Sequence, residues 1–179
     1  MLETLISSRT RIKLLLRFFL NPATTAYLRG LAEEFNESTN SIRVELNRFE
    51  EAGMLVSNSQ GNKKIYKAND SHPLFRDLHS ILLKYIGIDQ VIEIIISRMG
   101  LLDKVFLTGD YAKGKDTGII DLIFVGDIDK EYLVNLVTKA EKIIDRKLRF
   151  LTYESAEWEN LEMSEPGKHL LLWEHKNQV

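Results

Sequence analysis

The chain contains no cysteine. That absence excludes disulfides, thiolate metal centres and any thiol redox switch. No stretch approaches the roughly 18 uninterrupted apolar residues that a membrane-spanning helix needs. The opening residues MLETLISSRTRIK also lack the apolar run and small-residue cleavage pattern of a secretory leader. The expectation is a cytoplasmic protein with no membrane partner. Proline is scarce, with three residues in 179, so few helical stretches are interrupted. The zinc-protease pattern HExxH, the nucleophile elbow GxSxG and the phosphate loop GxxxxGK[ST] are all missing, as are internal repeats and low-complexity segments. His72, His79, His169 and His175 stand at no ligand spacing. Neither a metal nor a cofactor is expected.

What is present is 44% apolar and 28% charged, ordinary for a globular chain able to bury a core. The net charge of −2 is unevenly spread. Residues 1–70 carry 10 Lys and Arg against 8 Asp and Glu, and residues 71–179 carry 14 against 18. A mildly basic head on an acidic body suits DNA binding by one end.

The stretch NESTNSIRVELNRFEEAG, residues 36–53, carries the most information. Ile42, Leu46 and Phe49 recur at i, i+4 and i+7, which predicts a helix with one apolar stripe, closed by Gly53. The opposite face carries Asn40, Val44, Asn47 and Arg48, flanked by Ser41 and Arg43. Short polar side chains and guanidiniums suit base edges and phosphates, whereas a merely solvated face would more often show Glu and Lys. A second amphipathic segment, residues 27–35, precedes it by only a few residues, so the two predict a helix-turn-helix corner. After Gly53 the period shortens to two: residues 54–57 and 63–67 read as strands joined by a turn at 58–62, in which Gly61-Asn62 supplies the tight bend, with Lys63 and Lys64 near the tip. Residues 8–20 predict an earlier helix through Ile12, Leu15, Leu16, Phe19 and Leu20. Its Arg9, Arg11, Lys13 and Arg17 read as a solvated face or as phosphate contacts.

The run LNRFEEAGMLVSNSQGNKKIYKAN resembles winged helix-turn-helix regulators of the ArsR-like superfamily, over residues 8–69. The resemblance implies a DNA-binding head. Asn40, Ser41, Arg43, Asn47 and Arg48 would enter the major groove, and Lys63 and Lys64 would form a basic wing.

Asn69-Asp70-Ser71-His72-Pro73 marks a boundary, with Ser71 as candidate N-cap of a helix through Leu74, Phe75, Leu78, Ile81, Leu82 and Tyr85. That helix is a candidate dimerisation element or a helix that packs against the next domain. Residues 88–99 predict a buried helix ended by Gly100, and 104–108 a short central strand. Residues 130–144 predict an amphipathic helix, 147–153 a strand, 155–161 a short capped helix with Trp158, and 170–174 a last edge strand or core-covering segment. Pro166-Gly167 introduces that last segment, and the tail 175–179 is polar.

Residues 105–125, VFLTGDYAKGKDTGIIDLIFV, place a Gly-rich connection between two apolar strands. This pattern resembles the minimal nucleotidyltransferases, over about residues 88–160. In that family a Gly-Ser pair follows the first strand, and two metal-holding Asp residues alternate on the next. Gly109, Ala112, Lys113 and Gly114 match. The expected Ser is Asp110, the first Asp is Ile119, and only Asp121 remains of the pair. The strand expected to supply a third carboxylate, KLRFLTY, contains no acid. The expectation is therefore an inactive scaffold whose vestigial nucleotide site is Gly109, Asp110, Lys113, Gly114 and Asp121. Asp121 itself reads as a strand-end residue bonding loop amides.

Together these readings predict an α/β (α+β) protein: a winged helix-turn-helix at 1–70, linker helices at 71–100, and a nucleotidyltransferase-like domain with a small mixed sheet flanked by helices at 101–179. The expected function is a DNA-binding transcriptional regulator. It would act on double-stranded DNA as a homodimer, with its second domain serving dimerisation, sensing of a small ligand or docking of a protein partner. The alternatives are an active Mg-dependent nucleotidyltransferase and a winged-helix protein-protein interaction module.

Overall fold

The computed structural model describes the backbone of residues 2–99, 102–164 and 169–175, and the side chains of all of these but 162–164. The expected stop at Gly100, the Pro166-Gly167 lead-in and the tail beyond His175 lie outside the described residues. In chain order the elements are α1 (Leu2–Leu5), α2 (Arg9–Phe19), β1 (Thr25–Tyr27), α3 (Leu28–Phe35), α4 (Thr39–Glu51), β2 (Leu55–Gln60), β3 (Lys63–Ala68), α5 (Phe75–Ile86), α6 (Ile88–Ile96), β4 (Leu102–Thr108), α7 (Gly109–Ala112), β5 (Ile119–Gly126), α8 (Lys130–Ile144), β6 (Lys147–Tyr153), α9 (Ser155–Ser164) and β7 (Leu170–Glu174). The architecture is mixed α/β. Among the described residues no helix is long and apolar enough to cross a membrane.

Two compact units divide the chain, Met1–Tyr85 and Ile86–Val179. The stretch expected as a linker is thus not separate: α5 falls almost wholly in the first unit and α6 in the second.

In the first unit α2 is central. Leu14, Leu15, Leu16, Phe18 and Phe19 are all buried, covering more of its circumference than the single stripe expected. Helices α3 and α4 meet through a three-residue turn. Asn36 takes a left-handed conformation, φ +53°, which Asn tolerates better than most residues, and the Ser38 hydroxyl caps α4 by accepting the Ser41 N–H at 3.1 Å. Ile42, Leu46 and Phe49 point inward as expected. Strands β2 and β3 form the expected hairpin with a shorter turn than expected: residues 58–60 pair with β3 as strand, the Gln60–Lys63 pair closes the hairpin, and Gly61 supplies φ +57° at the turn. Strand β1 was not expected. It lies antiparallel on the other side of β3, making a three-stranded sheet in the order β1-β3-β2. Helix α5 begins later than Ser71 implies. The Leu74 N–H bonds the His72 ring at 3.2 Å, while the Ser71 N–H is taken by the Asn69 side chain.

The second unit is a four-stranded mixed sheet in the order β6-β5-β4-β7. Strands β5 and β6 run parallel and are joined through α8, as a parallel pair requires a crossover. Asp129 starts α8 by accepting the Tyr132 N–H. Strand β7 closes one edge antiparallel to β4. Trp158 of α9 is fully buried against Phe106, their ring centroids 4.4 Å apart, with Ile123 and Val125 completing the cluster. Gly87 enters α6 at φ +83°; a side chain there would strike Ile144 of α8 at 2.7 Å, so glycine lets α6 and α8 pack closely.

Candidate functional site

Burial of Ile42, Leu46 and Phe49 turns the other face of α4 outward. Asn40, Arg43, Val44, Asn47 and Arg48 are exposed along it, and Lys63 and Lys64 are exposed on the hairpin. Arg43 makes no ion pair among the described residues. Arg48 donates to Glu45 at 3.1 Å and keeps 58% of its side chain exposed. Ser41 is different. It is half-buried and its hydroxyl lies 3.3 Å from that of Thr10, so it is turned toward α2 and away from the exposed row.

The hairpin lysines are held as well. Lys63 sits over the Tyr27 ring, 4.3 Å from its centroid. Lys64 bonds Glu50 at 2.7 Å, and Glu50 also accepts from Ser57 at 2.5 Å. These two bonds hold the Glu50 carboxyl below its ordinary range, so it stays ionised and offsets the Lys64 charge.

The basic residues of α2 form neither a solvated face nor an open phosphate site, apart from the exposed Arg9. Arg11 binds buried Glu45 at 2.8 and 3.2 Å, Lys13 binds Glu37 at 2.7 Å, and Arg17 binds Glu34 at 3.4 Å. Burial alone would raise the Glu37 carboxyl; hydrogen bonds from Lys13 and Thr10 outweigh it and hold Glu37 below its ordinary value. Exposed cations that sequence reading passed over are Arg29, just inside α3, and Lys67 on β3. Both follow only from knowing which side of a short element faces out.

In the second unit the Gly-rich connection folds as the single turn α7. Gly109 has φ +66°, and a Cβ built on it would lie 2.3 Å from Oδ2 of Asp121. Only glycine permits this approach of loop backbone to carboxylate. Gly114, at φ +75°, ends the turn, and Lys113 is exposed beside it.

Asp121 was expected to bond loop amides; it is instead gripped by Arg149. The guanidinium donates through Nε at 2.6 Å and through its terminal nitrogen at 2.9 Å. The cause is strand register: parallel pairing of β5 with β6 sets Arg149 beside Asp121. Asp110 adds a further attraction for the same guanidinium. The remaining loop acid, Asp116, accepts from Arg146 at 2.7 and 3.2 Å and from the buried Tyr111 hydroxyl. Burial would raise Asp116, but the Arg146 and Tyr111 bonds keep it low, while burial and then Asp116 itself push the Tyr111 phenol up.

The divalent metal that the nucleotidyltransferase resemblance implies does not fit these residues. Ile119 offers no ligand, and both oxygens of Asp121 are occupied by a cation from its own chain. Among the described residues no three His, Asp or Glu side chains converge as metal ligands.

No protein-family model matches the chain, and no curated protein matches it. A crystal structure of a proposed nucleotidyltransferase from Sulfolobus solfataricus is similar to this chain at 22% identity and a TM-score of 0.36, over 55% of this chain and 85% of that one. Nothing about function follows from a likeness of that size.

Proposed function

We propose that this protein is a sequence-specific DNA-binding regulator, read through a winged helix-turn-helix head, with a second unit that does not transfer nucleotides. The observation that carries the reading is the exposed row Asn40, Arg43, Asn47 and Arg48 on the helix that follows the three-residue turn, beside a lysine-bearing hairpin. Asn and Arg are the side chains that pair bidentately with adenine and guanine in the major groove, and phosphate contacts from a hairpin set register. Ser41 leaves the set of base contacts and becomes part of the support that holds α4 on α2. A homodimer on a two-fold site would supply a second head, with the second unit free for assembly, ligand or partner recognition.

Selection from a randomised duplex pool tests this, followed by affinities at two salt concentrations for the best duplex and a scrambled one. Arg43→Ala should weaken the best duplex by about 1–3 kcal/mol and relax preference at one base position. Lys63→Ala should weaken every duplex alike and lower the salt slope by about 1. Equal, salt-insensitive binding of both duplexes would overturn the reading and favour a protein-docking head.

A further inference from the structure

On the exposed row of α4 every side chain is polar except one. Val44 is 41% exposed, at the middle of the helix, with Asn40 one turn before it and Asn47 nearly one turn after. Folding gives no reason for this residue. It is absent from the buried core, which α4 supplies through Ile42, Leu46 and Phe49. A β-branched side chain in an exposed helix interior is also a poorer helix former than Ala, Lys or Glu. A lone exposed valine is unremarkable on most surfaces. Here it lies on the face whose neighbours are the adenine-reading and guanine-reading side chains.

Major-groove chemistry supplies a partner for such a group. Thymine is the base that presents an apolar atom there, its C5-methyl group, and the paired adenine presents N7 and N6 beside it. An Asn reaching adenine from the same helix face brings a neighbouring aliphatic side chain toward a thymine methyl. We infer that Val44 packs on a thymine C5-methyl and that Asn40 or Asn47 reads an adenine in the same or the adjacent base pair, so that the recognised half-site contains an A·T step next to the base read by Arg43. Glu51 supports this insertion from the N-terminal end. It is exposed on the same face at the far end of α4, about 16 Å along the axis from Asn40 at 1.5 Å per residue, and its charge is best kept away from the phosphates. The inference rests on the DNA-reading head proposed above.

The test replaces each thymine of the best selected duplex in turn with deoxyuridine, which removes the methyl and leaves base pairing intact, using the full chain. One position should lose affinity by about fourfold, the value of one buried methyl group. Val44→Ala should bind the thymine and deoxyuridine duplexes equally at that position and keep its salt slope. Val44→Thr, which retains a methyl, should keep part of the difference. Because Val44 is exposed, neither variant should lower the unfolding midpoint appreciably, and Val44→Ala, the better helix former, should if anything raise it slightly. If the wild-type chain prefers the selected duplex but no thymine position is sensitive, or if Val44→Ala keeps the same sensitivity, the Val44 assignment fails while the head reading stands. If no duplex is preferred over a scrambled one, the head reading itself fails and takes the assignment with it.

Discussion

Placing a methyl group on Gly109 tests whether the Gly-rich turn and the Asp121–Arg149 pair form one unit. The left-handed φ of +66° disfavours alanine by about 1–2 kcal/mol. The new methyl would also meet Asp121 Oδ2 at 2.3 Å and Cβ at 3.1 Å. A carboxylate at the end of a free side chain could swing away at little cost, but Arg149 holds both of its oxygens. Moving Asp121 therefore loses the pair, a small loss because Arg149 is largely exposed, and forces an off-rotamer side chain at about 0.5–1.5 kcal/mol. Gly109→Ala should cost about 1.5–3.5 kcal/mol. Asp121→Ala alone should cost clearly less than Gly109→Ala, because the Arg149 it releases is largely exposed. With Asp121 shortened to Ala the 2.3 Å overlap with the carboxylate disappears and only the tight 3.1 Å contact with Cβ remains, so the double variant should be more stable than the sum of the single changes implies, by about 1 kcal/mol. The assay is urea unfolding followed by tryptophan fluorescence, which reports on the second unit alone: both tryptophans, Trp158 and Trp173, lie there, and Trp158 is fully buried. Costs that add to within about 0.5 kcal/mol would show that the turn and the ion pair are independent, and would refute the reasoning.

Two further predictions concern the first unit. Glu45 is 6% exposed and accepts from Arg11, Ser8 and Arg48, so Glu45→Ala strands a guanidinium and a hydroxyl. Partial exposure of Arg11 reduces the cost of breaking this pair to about 2–3 kcal/mol, measurable by urea unfolding followed by circular dichroism; a change within about 0.5 would contradict it. Glu37 titrates below its usual 4.5, so its contribution is fully present above that pH and is lost as pH falls through the lower folded-state value. Glu37→Gln should therefore lose less stability than wild type between about pH 6 and pH 3, and identical slopes would remove Glu37 from the acid response.

Local pattern made much of this molecule legible. The 3.6-residue spacing of Ile42, Leu46 and Phe49 identified the inward face of α4 and therefore its outward one. Gly61-Asn62 marked the hairpin turn, and the second unit's strands and helices fall close to their expected positions. What escaped was whatever depends on residues distant in sequence. Strand β1 is three residues long and exists because β3 has a free side to pair with, which no periodicity can reveal in so short a segment. The partner of Arg11 stands 34 residues away in Glu45, and that of Arg149 stands 28 residues away in Asp121. Sequence reading noticed that KLRFLTY lacks an acid but not that its arginine would stand where register brings it to Asp121. Ser41 shows the same dependence: helical angle alone sets it at the margin of the outward face, and packing against Thr10 draws it inward.

The internal pairing of cations in the head bears on how quickly it could find a target. Of the 10 basic residues before position 71, Arg11, Lys13, Arg17 and Lys64 are matched to Glu45, Glu37, Glu34 and Glu50. They rigidify the fold and contribute little outward field. On the DNA-reading proposal, the head would then hold only weakly to arbitrary duplex, with short residence at each encounter and little one-dimensional sliding. Its search would proceed mainly by repeated collisions from solution, and its occupancy of a site would depend on how slowly it leaves the correct bases rather than on how strongly it is drawn toward the backbone.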